Sequence, residues 1–187
     1  MMKSYFILFT SLLAFNANTA FAQKKEFCEV GAYTLSEMNN KIPVKFSPNS
    51  KSRTIDYIDA IIDDGEIKGS DLIISDIKNG YARVFYENQS QRAGNKYGWI
   101  ETKYLGFRVQ SEVVFSYPNI KSFPAYKVEY EAISNRNVKK IHACKNEWLN
   151  ISFSLEKKKP VNGWIRGICA NQETTCDGLI GDSWDKF

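Results

Sequence analysis

The sequence predicts an all-β protein built from two similar small barrels, and three observations carry that prediction. Several segments alternate apolar with polar residues at a period of two, as half-buried strands do. Turn signals separate these segments at short intervals, which favours a small barrel in each half. Three segments recur in the same order along the chain, and no long stretch repeats apolar residues every 3.6 positions.

The alternation is clearest at residues 149–153, Leu-Asn-Ile-Ser-Phe, and it recurs at residues 82–86, Ala-Arg-Val-Phe-Tyr. Each of these strands runs into a polar loop and then into a Gly-Trp-Ile strand, which predicts a hairpin in each half. Asp63-Asp64-Gly65 and Lys78-Asn79-Gly80 are typical turn sequences between further β-branched runs.

The repeat itself consists of three matches whose offset drifts slowly along the chain. In the first match, Phe115 lies 69 residues after Phe46, and the second copy has one extra residue after this phenylalanine. The next two matches have offsets of 67 and 65 residues. Two copies that differ by small loop insertions produce this pattern. The matched segments are 44–52 with 113–122, 80–86 with 147–153, and 97–100 with 162–165.

These motifs resemble bacterial SH3-like (SH3b) domains, here in tandem. The resemblance rests on a Val-x-Phe-Ser-x-Pro-x-x-Lys-Ser opening, a strand after an Asn-Gly or Asn-Glu turn, and a closing Gly-Trp-Ile. The segment from Cys169 to Cys176 is similar to the cysteine-bounded loop that ends some SH3-domain proteins of Gram-negative bacteria. The resemblance implies two five-stranded SH3-like barrels, residues 23–110 and 111–187, the second with a disulfide-stapled loop.

Residues 1–22 predict a secretory signal peptide that is cleaved after Ala22. They combine Lys3, a short apolar stretch and the site Ala20-Phe21-Ala22. A retained membrane anchor is the alternative, but polar residues interrupt the stretch and it is short for a membrane span. Position 23 is Gln and not Cys, so a lipid anchor is not expected. We therefore expect a periplasmic or secreted protein with no membrane span in the mature chain.

All four cysteines lie in the predicted mature chain, and an even number in an oxidising compartment predicts two disulfides. Four cysteines allow three pairings. Cys169 and Cys176 enclose a short polar loop that a local bridge would staple, which leaves Cys28 with Cys144. A metal site is the competing interpretation, but the spacings fit no zinc pattern and the sequence has one histidine. We expect no metal.

Composition and motifs argue against several function classes. The chain has 25 Lys and Arg against 21 Asp and Glu, which is too nearly balanced for the field of a nucleic-acid-binding protein. It contains no recognisable hydrolase, metalloprotease or phosphate-loop motif, so we expect neither an enzyme nor a cofactor. The enzymatic alternative uses His142 and Cys144, which are two apart on a predicted strand and would face one side; it requires Cys144 to be free and reactive.

The resemblance implies a groove of aromatic side chains that receives a ligand. The aromatic residue at the head of the third strand is Tyr81 in the first copy and Trp148 in the second. Tyr104 follows Trp99 by five residues, as in the family, whereas Cys169 stands five residues after Trp164. The candidate ligand-binding residues are Tyr81, Tyr104, Trp148, Trp99 and Trp164. The alternative is that these rings only pack in the core.

The predicted function is that of a non-catalytic, exported binding module of the bacterial cell envelope. Its expected partner is a cell-wall peptide or glycan, docked in the SH3-like grooves. The alternative is an inhibitor or immunity-type protein that binds a periplasmic or secreted enzyme. The oligomeric state stays open.

Overall fold

The computed structural model describes residues 27–35, 41–87, 96–155, 159–170 and 181–187. The predicted signal peptide, residues 1–22, and Cys176 lie outside these ranges. Strands account for 57% of the structure and no α-helix occurs among the described residues, so the all-β prediction is confirmed. None of the helical turns in these ranges has the length and hydropathy needed to traverse a bilayer.

The first repeat (residues 30–106) forms a curled, half-barrel sheet of seven strands and a separate two-stranded hairpin, β4 with β5. The sheet order is β3-β2-β8-β7-β6-β1-β9, and a 3₁₀ turn at Thr102–Tyr104 precedes the last strand. The strands are β1 (Val30–Thr34), β2 (Lys41–Lys45), β3 (Thr54–Asp59), β4 (Ile61–Asp63), β5 (Glu66–Lys68), β6 (Asp71–Lys78), β7 (Tyr81–Tyr86), β8 (Lys96–Glu101) and β9 (Leu105–Gly106).

The second repeat (residues 108–169) forms a five-stranded sheet, order β12-β11-β16-β15-β14, and a three-stranded sheet, order β13-β10-β17. A second 3₁₀ turn spans Trp184–Lys186. The strands are β10 (Arg108–Val109), β11 (Val113–Phe115), β12 (Pro124–Lys127), β13 (Ile133–Ser134), β14 (Val138–Lys145), β15 (Trp148–Phe153), β16 (Val161–Ile165) and β17 (Ile168–Cys169).

The two repeats share one strand order, because β3-β2-β8-β7-β6 corresponds strand by strand to β12-β11-β16-β15-β14. The register of β6 shifts between Ile74 and Asp76, and that of β14 shifts 67 residues later, between Ile141 and Ala143. The turn that follows each of these strands begins at an asparagine with positive φ, Asn79 or Asn146. The predicted turns at Asp64-Gly65 and Asn79-Gly80 form with positive φ at both residues.

The sequence alignment of the first matched segment is wrong by one residue. Lys45 pairs with Trp99 and Phe115 pairs with Trp164, so Lys45 and not Phe46 corresponds to Phe115. The offset is therefore 70, with no inserted residue. Successive residues of a strand face opposite sides, and so Phe46 is 62% exposed while Phe115 is fully buried.

The two repeats are packed around one shared apolar core. Strand β10 lies before the predicted boundary at residues 110/111, yet it pairs with β13 and β17 of the second repeat. Burial of apolar surface is the main stabilising term in such a fold. The core includes Ile42, Val44, Ile74, Val84, Tyr86 and Ile100 of the first repeat and Leu149, Ile151, Phe153 and Ile165 of the second.

The predicted Cys28–Cys144 disulfide is confirmed, and it ties the segment before β1 to the end of β14 with a Cα–Cα distance of 5.5 Å. Beside it, the Asn146 backbone donates to the Phe27 carbonyl and accepts from the Glu29 N–H. Cys169 is also disulfide-bonded. A disulfide is consistent with an oxidising, extracellular compartment.

Candidate ligand-binding site

Each repeat has a core face and an outer face, and a tryptophan lies at the middle of each outer face. On β8, Gly98 and Ile100 face the core, so Trp99 faces outward between Lys45 of β2 and Arg83 of β7. Trp164 is its counterpart on β16, and both predicted tryptophans are half-buried.

The predicted tyrosine pair of the first repeat lies to one side of Trp99. Tyr81 pairs with Glu101, and the Lys103 ammonium lies 2.7 Å from the Glu101 carboxylate and 4.9 Å from the centre of the Tyr104 ring. Tyr81 is buried, and burial together with Glu101 raises the pKa of its hydroxyl. The hydrogen bond to Glu101 raises the pKa of Lys103. The structure thus gathers Tyr81 and Tyr104 around one ion pair.

A second group of aromatic side chains lies on the other side of Trp99, and the sequence analysis missed it. The Phe85 and Tyr97 rings are 4.9 Å apart, and the Arg83 guanidinium lies 5.3 Å from the centre of the Tyr97 ring. Tyr97 is 53% exposed. We call Arg83, Phe85, Tyr97 and Trp99 the platform. The period of two along β7 and β8 was the available signal, since it places all four on one face.

The corresponding side of the second repeat is polar. Arg83, Phe85 and Tyr97 are replaced by Asn150, Ser152 and Asn162, as the strand pairing shows. The Ser152 hydroxyl is hydrogen-bonded to His142 and donates to the Asn162 side chain. Burial and the neighbouring Lys140 lower the pKa of His142.

The aromatic residues of the second repeat lie on the opposite side of Trp164, in what we call the aromatic cluster: Val113, Phe115 and Trp148. The Phe115 and Trp148 rings meet edge to face at 5.1 Å. The Arg166 guanidinium lies 5.3 Å from the centre of the Trp148 ring. Trp148 is only 3% exposed, so this predicted ligand-binding residue is covered.

Residues 181–187, which we call the strap, provide that cover. Trp184 packs against the aromatic cluster, and the Phe187 ring lies 5.3 Å from that of Phe115. The Asp182 carboxylate accepts two hydrogen bonds from Arg166, one of 2.6 Å, and this pairing raises the pKa of Arg166. Nothing in the sequence motifs signals the strap, because its partners lie far away along the chain.

The catalytic alternative at His142 and Cys144 is wrong. His142 is the extra residue of the bulge in β14, so it is exposed and bonded to Ser152. The Cys144 sulfur is bonded to Cys28 and is not free. The described part of the chain also contains no group of three His, Cys, Asp or Glu residues placed to hold a metal ion.

No protein-family model matches this chain, and no curated protein sequence matches it. Among solved structures, the chain is similar to NlpC1 from Trichomonas vaginalis, with 14% identity and a TM-score of 0.31. The similarity covers 84% of this chain and 51% of that one, so this chain spans about half the length of NlpC1. A TM-score this low carries no argument about fold or activity.

Proposed function

We propose that this protein is a non-catalytic, exported binding module of the bacterial cell envelope, which docks a peptide or peptidoglycan element on SH3-like barrels. The platform of the first repeat is the observation that carries the proposal. It presents an exposed Tyr97 ring beside Trp99, Phe85 and the Arg83 guanidinium on one sheet face. The shared strand order of the two repeats and their paired Gly-Trp strands support the SH3-like assignment.

The chemistry of the platform suits a ligand that combines sugar or peptide faces with carboxylates. Aromatic rings offer a large, rigid contact area that loses little side-chain freedom on binding. Arg83 and Lys45 flank Trp99 on the neighbouring strands, so cations lie on either side of the ring. Their charges would pair with the carboxylates of a wall peptide.

Sedimentation with purified peptidoglycan tests this proposal. We expect the mature chain to sediment with the polymer and Tyr97→Ala to bind at least about tenfold more weakly, because the ring loses its contact with the ligand. Tyr117→Ala is the matched control, since Tyr117 is 70% exposed but lies on the second repeat. No retention of the folded wild-type chain, or equal retention of the Tyr97→Ala variant, would contradict the proposal.

A protein-directed inhibitor is the second candidate, and an exposed hairpin favours it. The β11–β12 hairpin presents four exposed apolar side chains to solvent: Tyr117 (70% exposed), Ile120 (46%), Phe123 (80%) and Tyr126 (41%). Co-purification from the envelope should then yield a stoichiometric protein partner that Phe123→Ser loses and Tyr97→Ala keeps. The absence of any stoichiometric partner would exclude this candidate.

A further inference from the structure

We propose that the outer face of the second repeat is a separate peptide-binding site, whose ligand carries an acidic residue followed by two aromatic anchors in the pattern Asp-x-Trp-x-x-Phe. The strap is its built-in occupant. The inference deepens the proposed binding function, on which it rests, by naming the ligand of the second repeat. The contacts that hold the strap on the second repeat are the evidence for this inference.

The acidic anchor is Asp182, which is 8% exposed and forms a two-point contact with the Arg166 guanidinium. Paired hydrogen bonds between a guanidinium and a carboxylate fix both position and orientation. The first repeat has Glu101 where the second has Arg166, as the pairing of β8 and β16 shows. The first repeat therefore lacks the guanidinium that binds the acidic anchor, so the acidic peptide is specific for the second repeat.

Glu112 holds the backbone of the strap, as a peptide site requires. Its N–H donates to the Asp182 carbonyl at 2.8 Å, and its carboxylate accepts from the Trp184 N–H at 3.0 Å. Contacts to backbone atoms hold a peptide irrespective of its side chains, and the side-chain anchors then supply selectivity.

The two aromatic anchors lie on the aromatic cluster. Trp184 packs against it, and Phe187 meets Phe115 at an interplanar angle of 80°. Phe187 remains 51% exposed, so part of this contact is open to competition.

The strap is also separable from the fold. Residues 181–187 pair with no strand of the described chain, and the aromatic cluster is distinct from the shared core. Segments that lie outside the sheets and the shared core open locally at a lower free energy than the core itself. Release of the strap therefore exposes the aromatic cluster while the strands of the second repeat stay paired.

The test uses the full mature chain and the synthetic peptide Gly-Asp-Ser-Trp-Asp-Lys-Phe, labelled at its N-terminus. The variant Trp184→Ala/Phe187→Ala removes both aromatic anchors of the strap. We expect it to bind the peptide at least about tenfold more tightly than the wild type in fluorescence polarisation, because the peptide no longer competes with a tethered ligand. Adding Arg166→Met should lose this gain, whereas adding Tyr97→Ala should leave it unchanged.

A folded double variant that binds no better than the wild type would overturn the inference, and so would a double variant that unfolds, since the strap would then belong to the fold. Asp182→Asn is an independent check that retains both rings; it should raise peptide affinity severalfold. Peptidoglycan sedimentation depends on Tyr97 and peptide binding depends on Arg166, so failure of either proposal is recognised separately.

Discussion

The outer faces of the two repeats have a tryptophan at the same position, but the aromatic side chains around it lie on opposite sides. In the first repeat, the exposed Tyr97 ring and the half-buried Phe85 ring lie on one side of Trp99, and a Glu101–Lys103 ion pair lies on the other. In the second repeat, the Asn162 side of Trp164 is polar, and the aromatic cluster lies on the Arg166 side beneath the strap.

The core faces differ far less than the outer faces. Tyr86 and Phe153 occupy corresponding positions and both are buried. A close-packed interior tolerates only small changes of volume, whereas an outer face is free to acquire a ligand or a cover. Substitutions at corresponding positions should therefore have similar effects on the core face and different effects on the outer face.

The largest effect is expected for Trp148→Ala. Trp148 is 3% exposed and packs against Phe115 and Arg166, so its removal leaves a cavity that should cost about 3–5 kcal/mol of unfolding free energy. Tyr97→Ala, on the exposed platform, should cost less than about 1 kcal/mol. Urea denaturation of the two variants measures the two losses of unfolding free energy. Equal losses would contradict the contrast between the outer faces of the two repeats.

Gly98→Ala and Gly163→Ala probe the core face at corresponding positions. An added Cβ would lie 2.1 Å from a methyl of Val44 in the first repeat and 2.2 Å from a methyl of Val114 in the second. Overpacking of this kind should cost about 1–3 kcal/mol in both variants. The denaturation midpoints of the two variants measure this loss of stability. A large loss in one variant with none in the other would contradict the structural correspondence of Gly98 and Gly163.

Tyr86→Phe tests a polar difference between two matched core positions, Tyr86 and Phe153. The Tyr86 hydroxyl donates to Asp56 at 2.9 Å, so its loss should cost about 0.5–1.5 kcal/mol at neutral pH. Burial, and then the bond to Asp56, raises the pKa of Tyr86 above its ordinary 10.0.

The sign of the pH dependence follows from that shift. Below about pH 10 the phenol is neutral in both states, so its stabilising contribution is complete; above it the unfolded state ionises first and the contribution is lost. Tyr86→Phe should therefore lose less stability than the wild type between about pH 8 and about pH 11. Tyr130→Phe, at an exposed tyrosine, is the control, and it should lose as much stability over this pH range as the wild type does.

The smallest effect on stability is expected for Ser152→Phe/Asn162→Tyr, which transfers the ring pair of the platform to the second repeat. Ser152 and Asn162 lie on the outer face, where water can replace the exposed hydrogen bonds that the substitutions remove, so the unfolding free energy should change by less than about 0.5 kcal/mol. Peptidoglycan sedimentation should increase if the rings confer binding. An unchanged sedimented fraction in a folded variant would show that the rings alone do not suffice.

Local chemistry made much of the fold predictable. The alternation at residues 149–153 and the positive-φ residues at Asn79-Gly80 determine a strand and a turn through neighbouring residues alone. The Cys28–Cys144 pair followed from the even cysteine count and the short loop between the other two.

The features that the sequence did not predict depend on distant partners or on one-residue shifts. Trp148 was predicted as a ligand-binding residue from the resemblance, but its burial depends on Trp184 and Phe187, far along the chain. The bulge at His142 inserts a residue that alternation cannot reveal, and it separates His142 from the side expected for Cys144. The resemblance did not predict the platform, because Arg83, Phe85 and Tyr97 lie outside the groove positions that it implies.

The Cys28–Cys144 bond has a mechanical consequence. It joins residues 116 positions apart, so the whole first repeat lies inside a covalent ring. A force applied between residues before Cys28 and after Cys144 passes through the sulfurs and leaves the seven-stranded sheet unloaded. A single peptide-bond cut within the ring would leave the two pieces attached until the disulfide is reduced.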